Sequence, residues 1–170
     1  MSKSTSRLDK NTVKRVRQAL GDAGLQDTVR ELDDTARSAA QAARALGVEQ
    51  GAIVKSLVFT VGNRYVLALV AGDHQCREDQ LPKIFQLDGD VIRPAADLVR
   101  AVTGFSIGGV SPAGLVAPLP TVIDASLKRF EKVYAAAGHT HCIFETSVED
   151  LKTLTGGLVS YAVAAPANAS

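Results

Sequence analysis

The run Ile53-Val54-Lys55-Ser56-Leu57-Val58-Phe59-Thr60-Val61-Gly62-Asn63-Arg64-Tyr65-Val66-Leu67-Ala68-Leu69-Val70-Ala71 decides the fold. Two stretches of strand length, rich in valine, leucine and phenylalanine, flank Gly62-Asn63-Arg64, a short glycine-containing hairpin connection. A hairpin that tight pairs its strands antiparallel. One residue breaks the apolar texture. The two-residue period of a strand puts Lys55 in register with Ile53, Leu57, Phe59 and Val61, so it points to the apolar side. An unpaired ammonium is costly to bury, which leaves three places for Lys55: near the surface, beside a carboxylate, or in the wall of a cleft that receives an anionic ligand.

Working outward, Val13, Val16 and Leu20 recur at helical spacing after Asn11, a plausible N-cap, and Gly21 and Gly24 end that element. A brief strand fits 28–32. Asp34 or Thr35 can then cap a helix whose stripe is Ala36, Ala39, Ala40, Ala43 and Leu46, with Gly47 as its stop. After the hairpin, Gly72-Asp73-His74 breaks the sheet. Leu81, Ile84 and Phe85 suggest a helix, Val91-Ile92 an extended run, and 95–103 another helix. Strands are expected at 121–123, 133–136, 142–145 and 158–164, with Ser147 and Asp150 forming a capping box for a last helix that ends at Gly156. Strands outnumber helices without regular βαβ alternation, so the class is mixed α/β with a largely antiparallel or mixed sheet. No dinucleotide-binding or phosphate-loop spacing occurs, so no nucleotide cofactor is implied.

The chain has 170 residues, of which 46% are hydrophobic and 22% charged, consistent with one domain and a sizeable core. No apolar run approaches the ~20 residues of a membrane helix, and the polar start is followed directly by a helical pattern. The expectation is a cytoplasmic protein with no membrane association. It would have an ordered domain over 7–165 and flexible termini at 1–6 and 166–170. Net charge is only +1, which argues against a broad electrostatic grip on nucleic acid. The exception is the start, where Lys3, Arg7, Lys10, Lys14, Arg15 and Arg17 face only Asp9. That arm either touches a phosphate backbone or is a solvated helix face.

Two cysteines, Cys76 and Cys142, lack the paired spacing of a zinc site and are expected as reduced thiols, with no metal. Gly108-Gly109-Val110-Ser111-Pro112 is a candidate ligand loop. Glycines admit close backbone approach, and fixed main-chain amides can bind a carbonyl or the oxyanion that forms when it is attacked, each donor worth about 3 kcal/mol. The same residues also suit a tight structural turn. Ser111 lacks a nucleophile elbow, and no base is assignable to it. Asp73 and Asp124 end apolar strands, where they would orient a substrate group or cap a turn. His139 and His141 flank a strand entrance, one toward a cleft and one toward solvent.

Taken in order, the alanine-rich helix up to Gly47, the Lys55 strand, Thr103-Gly104-Phe105-Ser106-Ile107-Gly108-Gly109-Val110-Ser111-Pro112, Pro118-Leu119-Pro120-Thr121-Val122-Ile123-Asp124 and Ala136-Ala137-Gly138 resemble the YbaK/ProX family of aminoacyl-tRNA deacylases. These are stand-alone relatives of the editing domain of bacterial prolyl-tRNA synthetases. The resemblance implies one compact α/β domain with a curved, mostly antiparallel or mixed sheet flanked by helices. It also implies trans-editing hydrolysis of a wrong amino acid from the 3′ acceptor end of a tRNA, with proline tRNA the expected carrier, prolyl-tRNA synthetase a possible partner, and no cofactor or metal. By the same resemblance, Lys55 and Gly108 would be the catalytic positions. Gly109, Val110, Ser111 and Pro112 would be the substrate loop and Gly138 a pocket border; Asp73 and His139 are added as candidate pocket residues from the sequence itself and not from the resemblance. The competing class is a non-catalytic module of the same fold that binds tRNA, a nucleotide or a synthetase.

Overall fold

The computed structural model describes residues 6–33 and 36–167. In chain order the elements are α1 (Asn11–Asp22), β1 (Arg30–Glu31), α2 (Ala39–Leu46), β2 (Val54–Val61), β3 (Arg64–Ala71), β4 (His74–Cys76), α3 (Leu81–Phe85), β5 (Val91–Ile92), α4 (Ala96–Thr103), β6 (Thr121–Asp124), β7 (Val133–His139), β8 (Cys142–Thr146), α5 (Val148–Thr155), β9 (Leu158–Ser160) and β10 (Ala164–Pro166). The β2–β3 hairpin forms as read, with Val61 opposite Arg64 across a Gly62-Asn63 turn. It is the centre of a five-stranded sheet ordered β5-β2-β3-β6-β9, antiparallel on one side of β3 and parallel on the other. A second sheet, β1-β8-β7, meets the start of β2 through a bridge between Ile53 and Tyr134, and β4 pairs with β10.

Both faces of the central sheet are buried. Val54, Val58, Leu67 and Leu69 face α1, α5 and the β7–β8 pair, while Phe59, Val61, Val66 and Val70 pack with Leu81 and Val163 on the other side. That double burial explains why β3 reads as an almost unbroken apolar run. It also refines the position of Lys55, which follows the Leu57 and Phe59 face and not a single apolar side of a half-exposed strand.

Several boundaries differ from the sequence reading. Lys10 occupies the α1 N-cap position without a side-chain bond, and Asn11 is the first helical residue. Asp34 and Thr35 lie outside the described residues; α2 begins at Ala39, where the Ser38 hydroxyl accepts the Gln41 N–H, and ends at Gly47 in the left-handed region. The strand expected over 28–32 is reduced to two residues. The final extended run is two strands, because Ser160 to Val163 turns the chain from the edge of the central sheet to β4. Pro166, expected in a flexible tail, pairs with His74, and the Ala167 N–H donates to the Asp73 carbonyl. A 3-10 helix at Ala125–Arg129, capped by Asp124, had no clear sequence signal.

Candidate active site

A cavity of about 390 Å³ opens where the start of β2, helix α2, the loop after α4 and the end of β7 converge. Its walls are mostly apolar: Ala39 and Ala42 from α2, Leu57 from β2, Ile107 and Val110 from the loop, and Ala136 from β7. Arg37, Ser38, Lys55, Ser56, His139 and Thr140 supply the polar edge, with the Gly108 backbone and the Cys142 thiol beside them. A side lobe of about 130 Å³ shares Ser56, Leu57, Ile107, Gly108 and Val110 and continues to Arg93 and Pro94. Ser56 borders both lobes. Its Oγ is buried and has no hydrogen-bond partner among the described residues.

The loop is anchored at its base, and its tip is a turn closed by the Gly109 N–H donating to the Ser106 carbonyl at 2.9 Å. Gly104 closes α4 with φ +81°, and the Thr103 hydroxyl donates to the Val99 carbonyl while accepting the Phe105 N–H. Phe105 is fully buried. Arg15 reaches from α1, donating to the carbonyls of Gly114 at 2.6 Å and Gly104 at 2.8 Å with its guanidinium over the Phe105 ring. Pinned this way, the loop presents Ile107, 59% exposed, at the cavity mouth. Gly108 beside it has φ +92°, and a Cβ there would meet the Thr140 methyl at 3.1 Å.

Other loop residues work behind the wall. The Gly109 carbonyl accepts the Gly138 N–H, Ser111 is fully buried with its Oγ accepting the Ala113 N–H, and Pro112 faces a different groove. Gly138, with φ +91°, sits in the β7 bulge against helix α1, where a Cβ would come within 2.7 Å of the Thr12 carbonyl. Gly109, Ser111, Pro112 and Gly138 therefore shape the cavity without lining it. The bulge re-aims the strand so that His139 and Thr140 do line it. His139 Nδ1 accepts the His141 N–H at 3.0 Å, and burial, together with His141, Lys10 and Arg7, pushes its pKa below the usual histidine value. It is a neutral ring with its proton on Nε2, suited to donating a hydrogen bond.

Lys55 Nζ donates to the main-chain carbonyl of His74. Burial pulls its pKa down, while Cys76, Asp124 and Asp73 oppose that fall. Cys76 and Cys142 are pushed up to about 11, chiefly by burial, so both are neutral thiols. Asp73 does not reach the cavity. It forms a two-pronged pair with Arg129 at 2.8 and 3.0 Å, which holds its carboxyl below the usual range. His74 likewise contributes its carbonyl and not its ring. Asp73, expected as a pocket residue, is thus absent from the cavity wall, part of which is the apolar side of α2.

The basic arm is largely committed to the fold. Arg7 pairs with Glu31 at 2.5 Å and Arg17 with Asp27 at 2.6 Å, and Arg15 holds the loop. Lys10 and Lys14 are exposed, and Lys3 lies outside the described residues. Sequence reasoning missed Ser56, Ile107, Thr140 and the α2 wall; only Ser56, adjacent to the lysine in an apolar strand, carried a signal.

With this geometry in view, the comparisons are specific. The model of the aminoacyl-tRNA editing domain family matches residues 33–154. The chain belongs to this family. YwhH of Bacillus subtilis, an uncharacterized protein, is 30% identical over 141 residues, spanning 82% of this chain and 88% of YwhH. EbsC of Enterococcus faecalis, named as a candidate Cys-tRNA(Pro)/Cys-tRNA(Cys) deacylase, is 32% identical across 71% of this chain and 73% of its own length. The proline–tRNA ligase of Trichlorobacter lovleyi is 34% identical over 127 residues, 22% of that enzyme. A crystal structure of a candidate trans-editing enzyme for prolyl-tRNA synthetase superposes with TM-score 0.83 at 36% identity, covering 89% of this chain and 96% of that one. The fold is the mixed α/β editing-domain fold. Among the described residues no helix is long and apolar enough to cross a membrane.

Proposed function

We propose that this editing-domain protein hydrolyses the ester joining a wrong, small amino acid to the 3′-terminal adenosine of a tRNA, with proline tRNA the favoured carrier. The observation that carries the reading is an ammonium, Lys55, in the lining of a largely apolar cavity that Gly108, in a left-handed turn, also lines. The cavity suits a small uncharged side chain, and Lys55 suits the anionic or oxyanionic part of the substrate. EbsC's description and the ligase relative support proline tRNA as carrier, and a prolyl-tRNA synthetase in the cytoplasm is the matching partner.

An ester needs little activation. Water attacks the carbonyl carbon, the carbonyl oxygen gains charge, and the ribose hydroxyl leaves with a proton. Lys55 and the main-chain N–H groups of Gly108 and Val110, the Gly109 N–H being donated to the Ser106 carbonyl, would stabilise that oxygen or hold the terminal nucleotide, so binding geometry does most of the catalysis. Lys55 acts as a cation here. Burial is the largest influence on its pKa and lowers it, but the fixed acceptor at His74 and the carboxylates of Asp124 and Asp73 oppose that fall and suit a charge-stabilising role better than a general base. Ser56 Oγ, buried and unsatisfied, is available to a substrate hydroxyl, thiol or amine.

The test is a panel of proline tRNAs carrying alanine, cysteine, serine or threonine, incubated with the protein. Release of one amino acid, lost in Lys55→Ala, is expected. Saturable tRNA binding without release from any member would overturn the enzyme reading in favour of a binding module.

A further inference from the structure

The carbonyl that receives Lys55 is itself held by side chains outside the cavity. Asp124 ends β6 with 1% exposure. Its Oδ2 accepts the Ala71 N–H at 3.1 Å and its Oδ1 the Ser126 N–H at 2.9 Å. The His74 ring lies against it, with Nδ1 3.3 Å from Asp124 Oδ2 and 3.3 Å from Ser126 Oγ. A carboxylate already accepting two main-chain N–H groups is an acceptor, so the ring proton sits on Nδ1. Asp73, 3.9 Å from Nε2, has both oxygens on Arg129, so Ser126 and the carboxylate within hydrogen-bond reach, Asp124, share one ring nitrogen. A nucleophilic triad needs them on opposite nitrogens, and Ser126 does not line the cavity, so the cluster is not a second hydrolytic centre.

We propose that His74 and Asp124 are positioning residues for Lys55: Asp124 fixes the ring, the ring fixes the start of β4, and the His74 carbonyl holds the ammonium at the cavity edge. The arrangement is continuous, from the end of β6 through the ring to the backbone that Lys55 touches. The same carboxylate also favours the charged form of Lys55. The titratable or charged groups acting on Lys55 are Cys76, Asp124, Asp73 and Arg93, and those beside the His74 ring are Asp73 and Asp124. The expected effect on turnover rests on the deacylase reading; the effect on Lys55 does not.

The test uses the full chain with its lysines dimethylated by 13C-formaldehyde. The Lys55 titration is followed by NMR, its resonance identified by loss in Lys55→Arg, and deacylation is measured in parallel on unmodified protein. Asp124→Asn should lower the Lys55 titration midpoint and reduce kcat about tenfold with KM little changed, the loss expected for one charge-assisted hydrogen bond. His74→Ala should reduce kcat similarly, and His74→Asn, whose amide N–H stands near the Nδ1 position, should restore most of it. The His74 pair carries the test if Asp124→Asn fails to fold. An unchanged Lys55 midpoint together with unchanged kcat in folded variants would overturn the proposal. So would equal losses in His74→Ala and His74→Asn. If the wild-type protein releases no amino acid, the deacylase reading fails, and the Lys55 titration alone decides the positioning claim.

Discussion

On one side of Lys55 lies a cavity whose walls are mostly apolar and whose Ser56 hydroxyl has no partner among the described residues; on the other, Asp73, His74, Asp124, Ser126 and Arg129 bind one another and the backbone. By residue type the second region looks more catalytic, with a histidine, two carboxylates and a serine. The difference shows that a saturated polar cluster is structure, whereas an unsatisfied polar atom beside empty space is open to a ligand.

Removing the one cation the two regions share breaks the comparison most sharply. Lys55→Ala should lower deacylation by at least about 100-fold, roughly 3 kcal/mol of transition-state stabilisation, with an unchanged melting temperature. Rate assays and a thermal melt check both halves. Because burial lowers the Lys55 pKa and the cation is the working form, turnover should fall as pH rises through that lowered value, below the ordinary lysine value near 10.4. A pH–rate profile in which the alkaline fall persists in the residual activity of Lys55→Arg would contradict the assignment.

Gly138→Ala should act on stability, by about 2–3 kcal/mol, since it adds left-handed strain to a 2.7 Å approach to a main-chain oxygen; denaturant midpoints measure it. Gly108→Ala carries similar backbone strain, but its neighbour is a methyl group on the cavity side. Its stability loss should be about 1 kcal/mol and its kcat/KM loss about tenfold, and a loss confined to stability would place Gly108 with the supporting glycines. The smallest effect belongs to Arg129→Ala, less than about 1 kcal/mol, because the Asp73 pair is partly exposed. That contribution is full above the unfolded carboxyl pKa near 3.9 and fades as pH falls through the lower folded value, which acid titration of both proteins would show.

The hairpin, the α2 stop at Gly47 and the α5 cap at Ser147 were legible because each is written locally, in a turn, a left-handed glycine or a hydroxyl before a helix. Lys55 was legible as an anomaly in an apolar strand. The cavity wall was not, since Ala39, Ile107 and Thr140 meet only through tertiary packing and none is unusual in its own segment. Asp73 and the basic arm each allowed two readings for the complementary reason: charge is visible in sequence, but the partners that neutralise Asp73, Arg7 and Arg17, namely Arg129, Glu31 and Asp27, lie 10 or more residues away.

The pairing of β4 with β10 bears on how the protein comes to be active. Hairpin β2–β3 closes a two-residue turn, whereas β10 must return across about half the chain to meet β4. The loop-closure cost places that contact late in folding. A half-folded chain would therefore carry Lys55 on a formed strand but lack the seated backbone that aims it, so the ester-cleaving apparatus would be assembled only in the finished molecule.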